Sequence, residues 1–491
     1  MAPPRFKSLQ LTKSGPRTPS TKRAALAISL LFSSASLVGC SERRATATGA
    51  LDEPPAAPAS ALGSVADGMA AGASPPVGSA AHAGAAPSGA LPNPLPSPRF
   101  NVLLVLIDSL RADMPWAGYP RDIAPWMTRF EARSVSYTRA YSVSSTTARS
   151  VAALLASDYP SAMVRDGHFF TRWHPDNLFL AERLTDRGSH SFGAFAHAYF
   201  FPTSGLNQGV TDHQVLPGTF LMNTSHSNIT SEKLTSLAKE QITKGRAERE
   251  RTGQPFFGYV HYMDPHSPYV PHRGGAHFGN KPRDLYDAEV HHTDRHLGEL
   301  IDWLDETGGE EDTVVILSAD HGESFGEHGH LKHGYELWEE LIRVPLMIRV
   351  PGAAARRIDT PRSHIDLAPT ILALMGHPPG QGMRGHSLTA ELAGATPTPR
   401  PVLCEVTRDP LQDRRRALID GPLKLIVTGD DRGFLLFDVV ADPGERRDLV
   451  ADKPRFERMK QLYFSVSERI PNTPHSGDLV PLRNAPAGRR W

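Results

Sequence analysis

Two aspartates follow apolar runs of strand length and could form the centre of a reactive site. Residues 101–107 form one such run, which ends at Asp108, and residues 313–317 form a second, which leads to Asp320 and His321. Each aspartate alone could cap a helix. Two converging carboxylates, however, repel each other unless a cation lies between them. The pair therefore predicts a divalent metal site, whose oxygen ligands favour Ca²⁺ or Mg²⁺ and whose histidine also permits Mn²⁺ or Zn²⁺.

A run of hydroxyl side chains could supply a nucleophile. Residues 144–147 (SSTT) precede an apolar segment with helical spacing, so a hydroxyl there could simply cap the helix. The same position has a second use, because the N–H groups at a helix start attract anions. A hydroxyl placed there, such as that of Thr147, could also bind a metal and attack phosphorus or sulfur.

The intervening pattern predicts how these residues are positioned. Apolar residues between Tyr286 and Leu304 recur at helical spacing, and the pattern stops near Gly308. Buried strands that alternate with helices predict an α/β fold with a mostly parallel sheet. In such folds ligands bind beyond the carboxyl ends of the strands, where Asp108 and Asp320 are expected.

Histidines concentrate in the same part of the chain. Half of the 22 histidines lie between His261 and His333, chiefly in residues 261–269 and in the glycine-punctuated segment 320–334. The second segment is predicted to be a loop, and loops at strand ends carry functional residues. A cluster that binds only zinc is an alternative, although the paired histidines and glutamate of a zinc-protease helix are not present.

Composition and charge exclude other classes. The two cysteines rule out a disulfide framework and cysteine-rich metal sites. The formal net charge is +0, but the first 39 residues hold six basic and no acidic side chains, so the remaining chain is mildly acidic. A nucleic-acid partner is therefore not expected.

The N-terminal segment is predicted to be an export signal. Basic residues are followed by an uncharged apolar run, residues 24–39, which is short for a membrane span. Its end, LVGC, resembles the bacterial lipobox, which implies lipidation of Cys40; a plain signal peptide is the alternative. Residues 40–98 are rich in Ala, Pro and Gly and are predicted to form a disordered tether. The protein is thus expected to be exported as a periplasmic or surface lipoprotein, with its membrane contact through the lipid.

The anchor can be tested directly. Replacing Cys40 by serine should move the protein from the membrane fraction into the soluble periplasmic or extracellular fraction, because the tether offers no other apolar anchor. Fractionation followed by immunoblotting measures this, with Cys404→Ser as the matched control. Membrane retention of the Cys40→Ser variant would show that the attachment lies elsewhere.

In combination, these motifs resemble the sulfatase family within the alkaline phosphatase superfamily, from about residue 101 to residue 450. The segments that carry the resemblance are 101–113, 147–157, 255–269, 318–334, 340–346 and 363–370, and for the C-terminal subdomain 416–420, 424–427, 434–438 and 441–445. It implies an alkaline-phosphatase-like catalytic domain over 99–395, a small antiparallel subdomain over 396–470 and a tail over 471–491.

The resemblance also assigns roles to individual residues. Asp108, Asp320 and His321 are implied as ligands of one divalent metal, with Ca²⁺ first. Thr147 falls on the nucleophile. His266 and His333 complete the set, the former meeting the substrate and leaving group and the latter being a basic substrate contact.

Several positions depart from the family pattern. Thr147 replaces the usual Cys or Ser, so formylglycine cannot form there. Val151 replaces the motif arginine, although Arg149 lies two residues earlier, and Ser109 stands where many members have a second metal aspartate.

These departures leave three functions open. The first is a metal-dependent hydrolase of sulfate or phosphate esters, acting on a small molecule or a glycan. The second is a phospho-group transferase or phosphodiesterase that uses Thr147, and the third is a surface lipoprotein without turnover. Nothing in the sequence predicts the oligomeric state.

Overall fold

The computed structural model describes four stretches of the chain, along which strands alternate with helices. These stretches are residues 99–167, 171–217, 229–408 and 413–473. The predicted signal (1–39), the tether (40–98) with Cys40 and nearly all of the tail (471–491) lie outside them. Within the described stretches, no helix is both long and apolar enough to span a bilayer.

The strands and helices are numbered in chain order. The strands are β1 (Asn101–Ile107), β2 (Val135–Tyr137), β3 (Ala140–Tyr141), β4 (Arg165–Asp166), β5 (Arg172–Trp173), β6 (Ser191–Phe195), β7 (Asp212–Val215), β8 (Phe257–Tyr262), β9 (Thr313–Ala319), β10 (Ser324–Phe325), β11 (Leu331–Lys332), β12 (Arg343–Val344), β13 (Leu346–Arg349), β14 (Arg356–Ile358), β15 (Arg362–Ser363), β16 (Val402–Val406), β17 (Arg415–Asp420), β18 (Leu423–Thr428) and β19 (Gly433–Asp438). The helices are α1 (Pro125–Glu131), α2 (Thr147–Ala156), α3 (Leu180–Thr185), α4 (Ser231–Thr252), α5 (Pro282–Glu306), α6 (Gly309–Asp312), α7 (Glu339–Ile342), α8 (Leu367–Leu374), α9 (Thr389–Leu392) and α10 (Lys453–Ser467).

The largest sheet has eight strands in the order β14-β2-β13-β9-β1-β8-β6-β7. β1 pairs in parallel with β8 and β9, and β6 pairs in parallel with β7 and β8. Only β13 runs antiparallel to its neighbours in this sheet. The predicted α/β class with a mostly parallel sheet is confirmed.

The central strand β1 is buried on both faces. Its side chains divide alternately between two apolar clusters, with Val102, Leu104 and Leu106 in one and Leu103, Val105 and Ile107 in the other. This two-sided burial explains why the strand is continuously apolar. In register, Ile107 lies opposite Ala319 of β9 and Tyr262 of β8. Asp108 and Asp320 therefore leave the sheet at the same edge.

Helices cover both faces of this sheet. One cluster joins it to α1, α4 and α5, and the other joins it to α2, α3 and α8. Val151 of α2 has no exposed surface and belongs to the second cluster. Burying a side chain of this size contributes about 1.5–3 kcal/mol. Val151 therefore contributes to the packing of the hydrophobic core.

A separate antiparallel sheet lies near the C-terminus, as predicted, with the order β16-β17-β18-β19. Its core joins Leu403 and Leu425 to Tyr463 of α10 and to Ala153 of α2. Cys404 of β16 is completely buried. The boundary predicted between residues 395 and 396 stays a prediction.

Candidate active site

The two predicted carboxylates lie side by side at the carboxyl edge of the sheet, and both are completely shielded from solvent. The backbone N–H of Ser109 donates to Asp320 Oδ1 at 3.2 Å, and Ser109 Oγ donates to Asp108 Oδ1 at 2.8 Å. Ser109 has a φ of 59°, in the left-handed region, which turns the chain sharply after β1. The serine thus orients both carboxylates.

The pKa values of the two carboxyl groups are shifted in opposite directions. Burial, followed by the negative charge of Asp108, raises the pKa of Asp320 well above its ordinary value. For Asp108, burial acts in the same direction, but nearby His266 and the hydrogen bond from His261 outweigh it and lower the pKa. Without a counter-ion, the two carboxylates do not both ionise readily.

His321 completes a set of ligands that fits a metal ion. Its Nδ1 donates to the carbonyl of Gly322 at 2.9 Å, so Nε2 carries the lone pair. Nε2 lies 3.4 Å from Asp320 Oδ2 and 3.8 Å from Asp108 Oδ1, and ligand atoms of all three residues lie within 4.8 Å of one another. Asp320 Oδ2 is buried and has no hydrogen-bond partner in the part of the chain that the structure describes. Two carboxylates and a neutral imidazole suit a divalent cation.

Thr147 presents its hydroxyl to the same centre. It is the first residue of α2, and its Oγ1 lies 3.3 Å from Asp108 Oδ2 and 3.2 Å from His321 Nε2. The helix cap is Thr146, which makes no side-chain capping bond. The hydroxyl of Thr147 therefore faces the carboxylates and the imidazole rather than closing the helix.

His266 and His333 lie next to each other beside this centre. Their ring centroids are 5.1 Å apart, and the ring of His333 lies 4.2 Å from that of His321. His333 Nδ1 donates to Glu323 at 3.0 Å. Burial lowers the pKa of His266, whereas for His333 the charge and hydrogen bond of Glu323 outweigh burial and raise the pKa. The two rings therefore differ in their tendency to carry a proton.

The sequence did not single out His261 from its motif, yet it contacts the centre. It lies on β8 opposite Leu106, with Nε2 donating to Asp108 Oδ2 at 3.4 Å and Nδ1 2.7 Å from the hydroxyl of Tyr259. The available signal was a histidine within an otherwise apolar run, residues 256–262, because a histidine that is buried in a strand needs polar partners. His261 thus orients Asp108, as outer partners of metal ligands do.

Gly322 allows the loop after β9 to approach α7 closely. Its N–H donates to Leu341 O at 2.8 Å, and a Cβ at this position would lie 2.0 Å from Glu340 O. A side chain of any size would therefore push the loop, and His321 with it, away from the helix.

Replacing Gly322 by alanine should therefore destabilise the protein by about 1–3 kcal/mol through overpacking. It should also weaken Ca²⁺ binding at least tenfold, within the range expected when support for a ligand is lost. Thermal unfolding and a Ca²⁺ titration measure both effects. Gly444→Ala is the control for the unfolding measurement, since its nearest contact, at 3.3 Å, is the flexible side chain of Arg446. Equal behaviour of the two variants would contradict the prediction.

Comparison with known proteins places the sequence among sulfatases. A model described as "Sulfatase" matches residues 100–377, and one described as "N-sulphoglucosamine sulphohydrolase, C-terminal" matches residues 326–471. The uncharacterized sulfatase YidJ of Escherichia coli K12 is 33% identical over 176 residues, 34% of either chain. The choline-sulfatase of Rhizobium meliloti 1021 is 35% identical over 178 residues, 36% of this chain and 34% of its own. These matches span only about a third of the curated relatives.

Solved structures share the fold. The phosphonate monoester hydrolase SpPMH of Silicibacter pomeroyi superimposes with a TM-score of 0.63 at 20% identity, over 76% of this chain and 96% of its own. At this identity the likeness concerns the fold, which is that of the alkaline-phosphatase-like enzymes predicted from the motifs.

Proposed function

Because the chain belongs to the sulfatase family, we propose that it is a metal-dependent hydrolase of sulfate or phosphate esters, working at the centre formed by Asp108, Asp320, His321 and Thr147. The observation that carries this proposal is the hydroxyl of Thr147 within 3.3 Å of Asp108 and 3.2 Å of His321. The substrate belongs to the same proposal as a small-molecule or glycan ester. One of the curated relatives is a choline-sulfatase, which supports the small-molecule class.

Asp108, Asp320 and His321 would hold the divalent cation. When bound, the cation withdraws charge from the ester and lowers the pKa of a neighbouring hydroxyl. Ca²⁺ is the first choice by family resemblance, with Mg²⁺, Mn²⁺ and Zn²⁺ as alternatives.

Thr147 is the proposed nucleophile. Its Oγ1 forms a bond to the sulfur or phosphorus of the ester, and the bond to the leaving oxygen breaks with its electron pair. The hydroxyl proton passes to Asp108 Oδ2, which already accepts from Thr147 Oγ1 at 3.3 Å, because the lone pair of His321 Nε2 would hold the cation. Water then attacks the same sulfur or phosphorus, releasing sulfate or phosphate and restoring the hydroxyl.

His266 and His333 would bind the ester oxygens and assist departure of the leaving group. His333, whose pKa is raised by Glu323 despite its burial, is the better cation for an anionic ester oxygen. His266 lies beside it and would donate a hydrogen bond or proton to the leaving oxygen, as the resemblance implies. A proton lost to the leaving oxygen is regained when water attacks the intermediate.

A second candidate function follows from the ordinary alcohol at residue 147. A phosphorylated Thr147 could pass its phospho-group to an acceptor alcohol instead of water, which would make the protein a transferase or a phosphodiesterase. The aldehyde chemistry of formylglycine is not available to a threonine. A fold retained without turnover is the remaining alternative.

One experiment separates these functions. The purified protein is incubated with sulfate monoesters, phosphate monoesters and phosphate diesters, each with Ca²⁺, Mg²⁺, Mn²⁺ or Zn²⁺, and with and without an acceptor alcohol. Release of inorganic sulfate or phosphate supports hydrolysis, and modification of the acceptor supports transfer. No turnover in any combination would favour the non-catalytic alternative and contradict the proposal.

The cellular context is part of the proposal as well. The basic and apolar N-terminus with Cys40 supports export and lipid anchoring. The catalytic residues would then meet esters on the outer side of the cytoplasmic membrane or at the cell surface.

A further inference from the structure

A second cluster of ligand-type side chains lies outside the centre described above. His328, Glu340 and Glu445 each place one ligand atom within 4.8 Å of the others. They line a cavity of about 650 Å³. His328 belongs to the turn Glu327–Gly329 in the loop that also carries His333, Glu340 lies on α7, and Glu445 follows β19.

The negative charges of this cluster are incompletely balanced. Glu339 and Glu445 are both buried and both pair with the completely buried Lys424, at 3.1 Å and 2.9 Å. Glu340 adds a third carboxylate beside them. One ammonium ion thus faces three carboxylates, and burying an unbalanced charge is costly.

Three arginines line the same cavity, and among the described residues none of them forms an ion pair with Glu340. Arg343 donates from Nε to the carbonyl of Thr138 at 3.0 Å. Arg111 lines the same cavity, but its guanidinium is bound to Asp113 and Glu327 at 2.8 Å and 2.9 Å. Arg446 also lines the cavity and is exposed to solvent, where its charge is screened.

Glu340 is the clearest sign of a missing ligand. Its side chain is only 9% exposed, and its Oε1 is buried without a hydrogen-bond partner among the described residues. Its other oxygen, Oε2, lies 4.0 Å from His328 Nε2. Such a separation is too long for a hydrogen bond but suits two ligands of one cation.

The imidazole of His328 is held in place for this contact. It stacks on Trp338 at 3.8 Å with an interplanar angle of 6°, and its residue has a φ of 53°, in the left-handed region. An imidazole that is fixed by stacking is a good metal ligand.

We propose that His328, Glu340 and Glu445 form a second divalent-cation site, suited to Zn²⁺ or Mn²⁺. One imidazole and two carboxylates match these ions, and the cavity leaves room for water as a further ligand. The cation links the loop of His333 to α7 and to the segment after β19. It therefore stabilises that loop rather than taking part in the reaction.

The test uses the full-length protein carrying Asp320→Asn, so that the first centre contributes no binding. After removal of metal with a chelator, Zn²⁺ is titrated by calorimetry, and bound zinc is counted by mass spectrometry. One Zn²⁺ per chain is expected. Adding Glu340→Gln should weaken binding at least about 100-fold, since losing even an outer partner of a ligand costs 10–100-fold. Adding Asp113→Asn instead, which changes a residue of the same cavity that lies outside the cluster, should leave Zn²⁺ binding unchanged.

The outcomes are distinct. Absence of Zn²⁺ binding in the Asp320→Asn protein, or equal binding after Glu340→Gln and Asp113→Asn, would overturn the second site. Circular dichroism of each variant verifies folding. If the wild type also binds a single ion and only Glu340→Gln removes it, the second site stands and the metal role of Asp320 fails.

Discussion

Replacing Thr147 by alanine should reduce kcat on the best ester by roughly 10⁴-fold or more, the scale of loss seen when an enzyme loses its nucleophile. Thr147 is the first residue of a helix that is buried throughout, and alanine retains helical propensity there, so the fold should persist. Steady-state kinetics together with thermal unfolding measure the two effects.

The controls for this prediction lie at the same helix start. Thr147→Ser keeps the hydroxyl and should retain part of the activity. Thr146→Ala should have a mild effect, since the contact that the Thr146 hydroxyl makes within the described stretches is a long one, 3.5 Å to Ser144 Oγ. Full activity of the Thr147→Ala variant would show that another group attacks the ester.

The Asp320→Asn variant should lose metal binding at the first centre, and the ester hydrolysis that depends on it, while its metal-free form should be more stable than the metal-free wild type. Burial and the charge of Asp108 raise the pKa of Asp320, so this carboxyl group reduces the stability of the metal-free fold at pH values above the pKa that it has in the unfolded chain. Asparagine carries no charge, and removing a buried carboxylate that has an unpartnered oxygen should stabilise the fold by about 1–3 kcal/mol.

Unfolding in the presence of a chelator and a Ca²⁺ titration measure these opposite effects. Asp312→Asn is the matched control, because Asp312 precedes the same strand β9 at its other end and is paired with Arg249. A metal-free Asp320→Asn protein that unfolds at a lower temperature than the wild type would show that the two carboxylates do not oppose each other.

The residues at the ends of the central strands were predictable because a buried strand is recognisable in the sequence as a continuous apolar run. β1 and β9 are apolar on both faces, so the points where they end at Asp108 and Asp320 could be located in the sequence. The helical face between Tyr286 and Leu304 likewise predicted most of α5. Parallel pairing then brings the two strand ends to one edge.

Other features depend on contacts that sequence spacing does not encode. The role of His261 follows from its register against β1, and a register cannot be deduced from one strand alone. His328, Glu340 and Glu445 come from a loop, a short helix and the segment after β19, and their juxtaposition requires the packing of the C-terminal sheet. The raised pKa of His333 depends on Glu323, and the lowered pKa of His266 depends on burial; both are visible only in the fold.

The burial of Cys404 makes its thiol unreactive in the folded protein. A thiol reacts as its thiolate, and burial both raises the pKa of Cys404 and blocks access of reagents. The sequence holds only one other cysteine, Cys40. If Cys40 is lipidated as proposed, a rapidly alkylated sulfur in the folded protein would therefore report the fraction of chains in which Cys40 is unacylated.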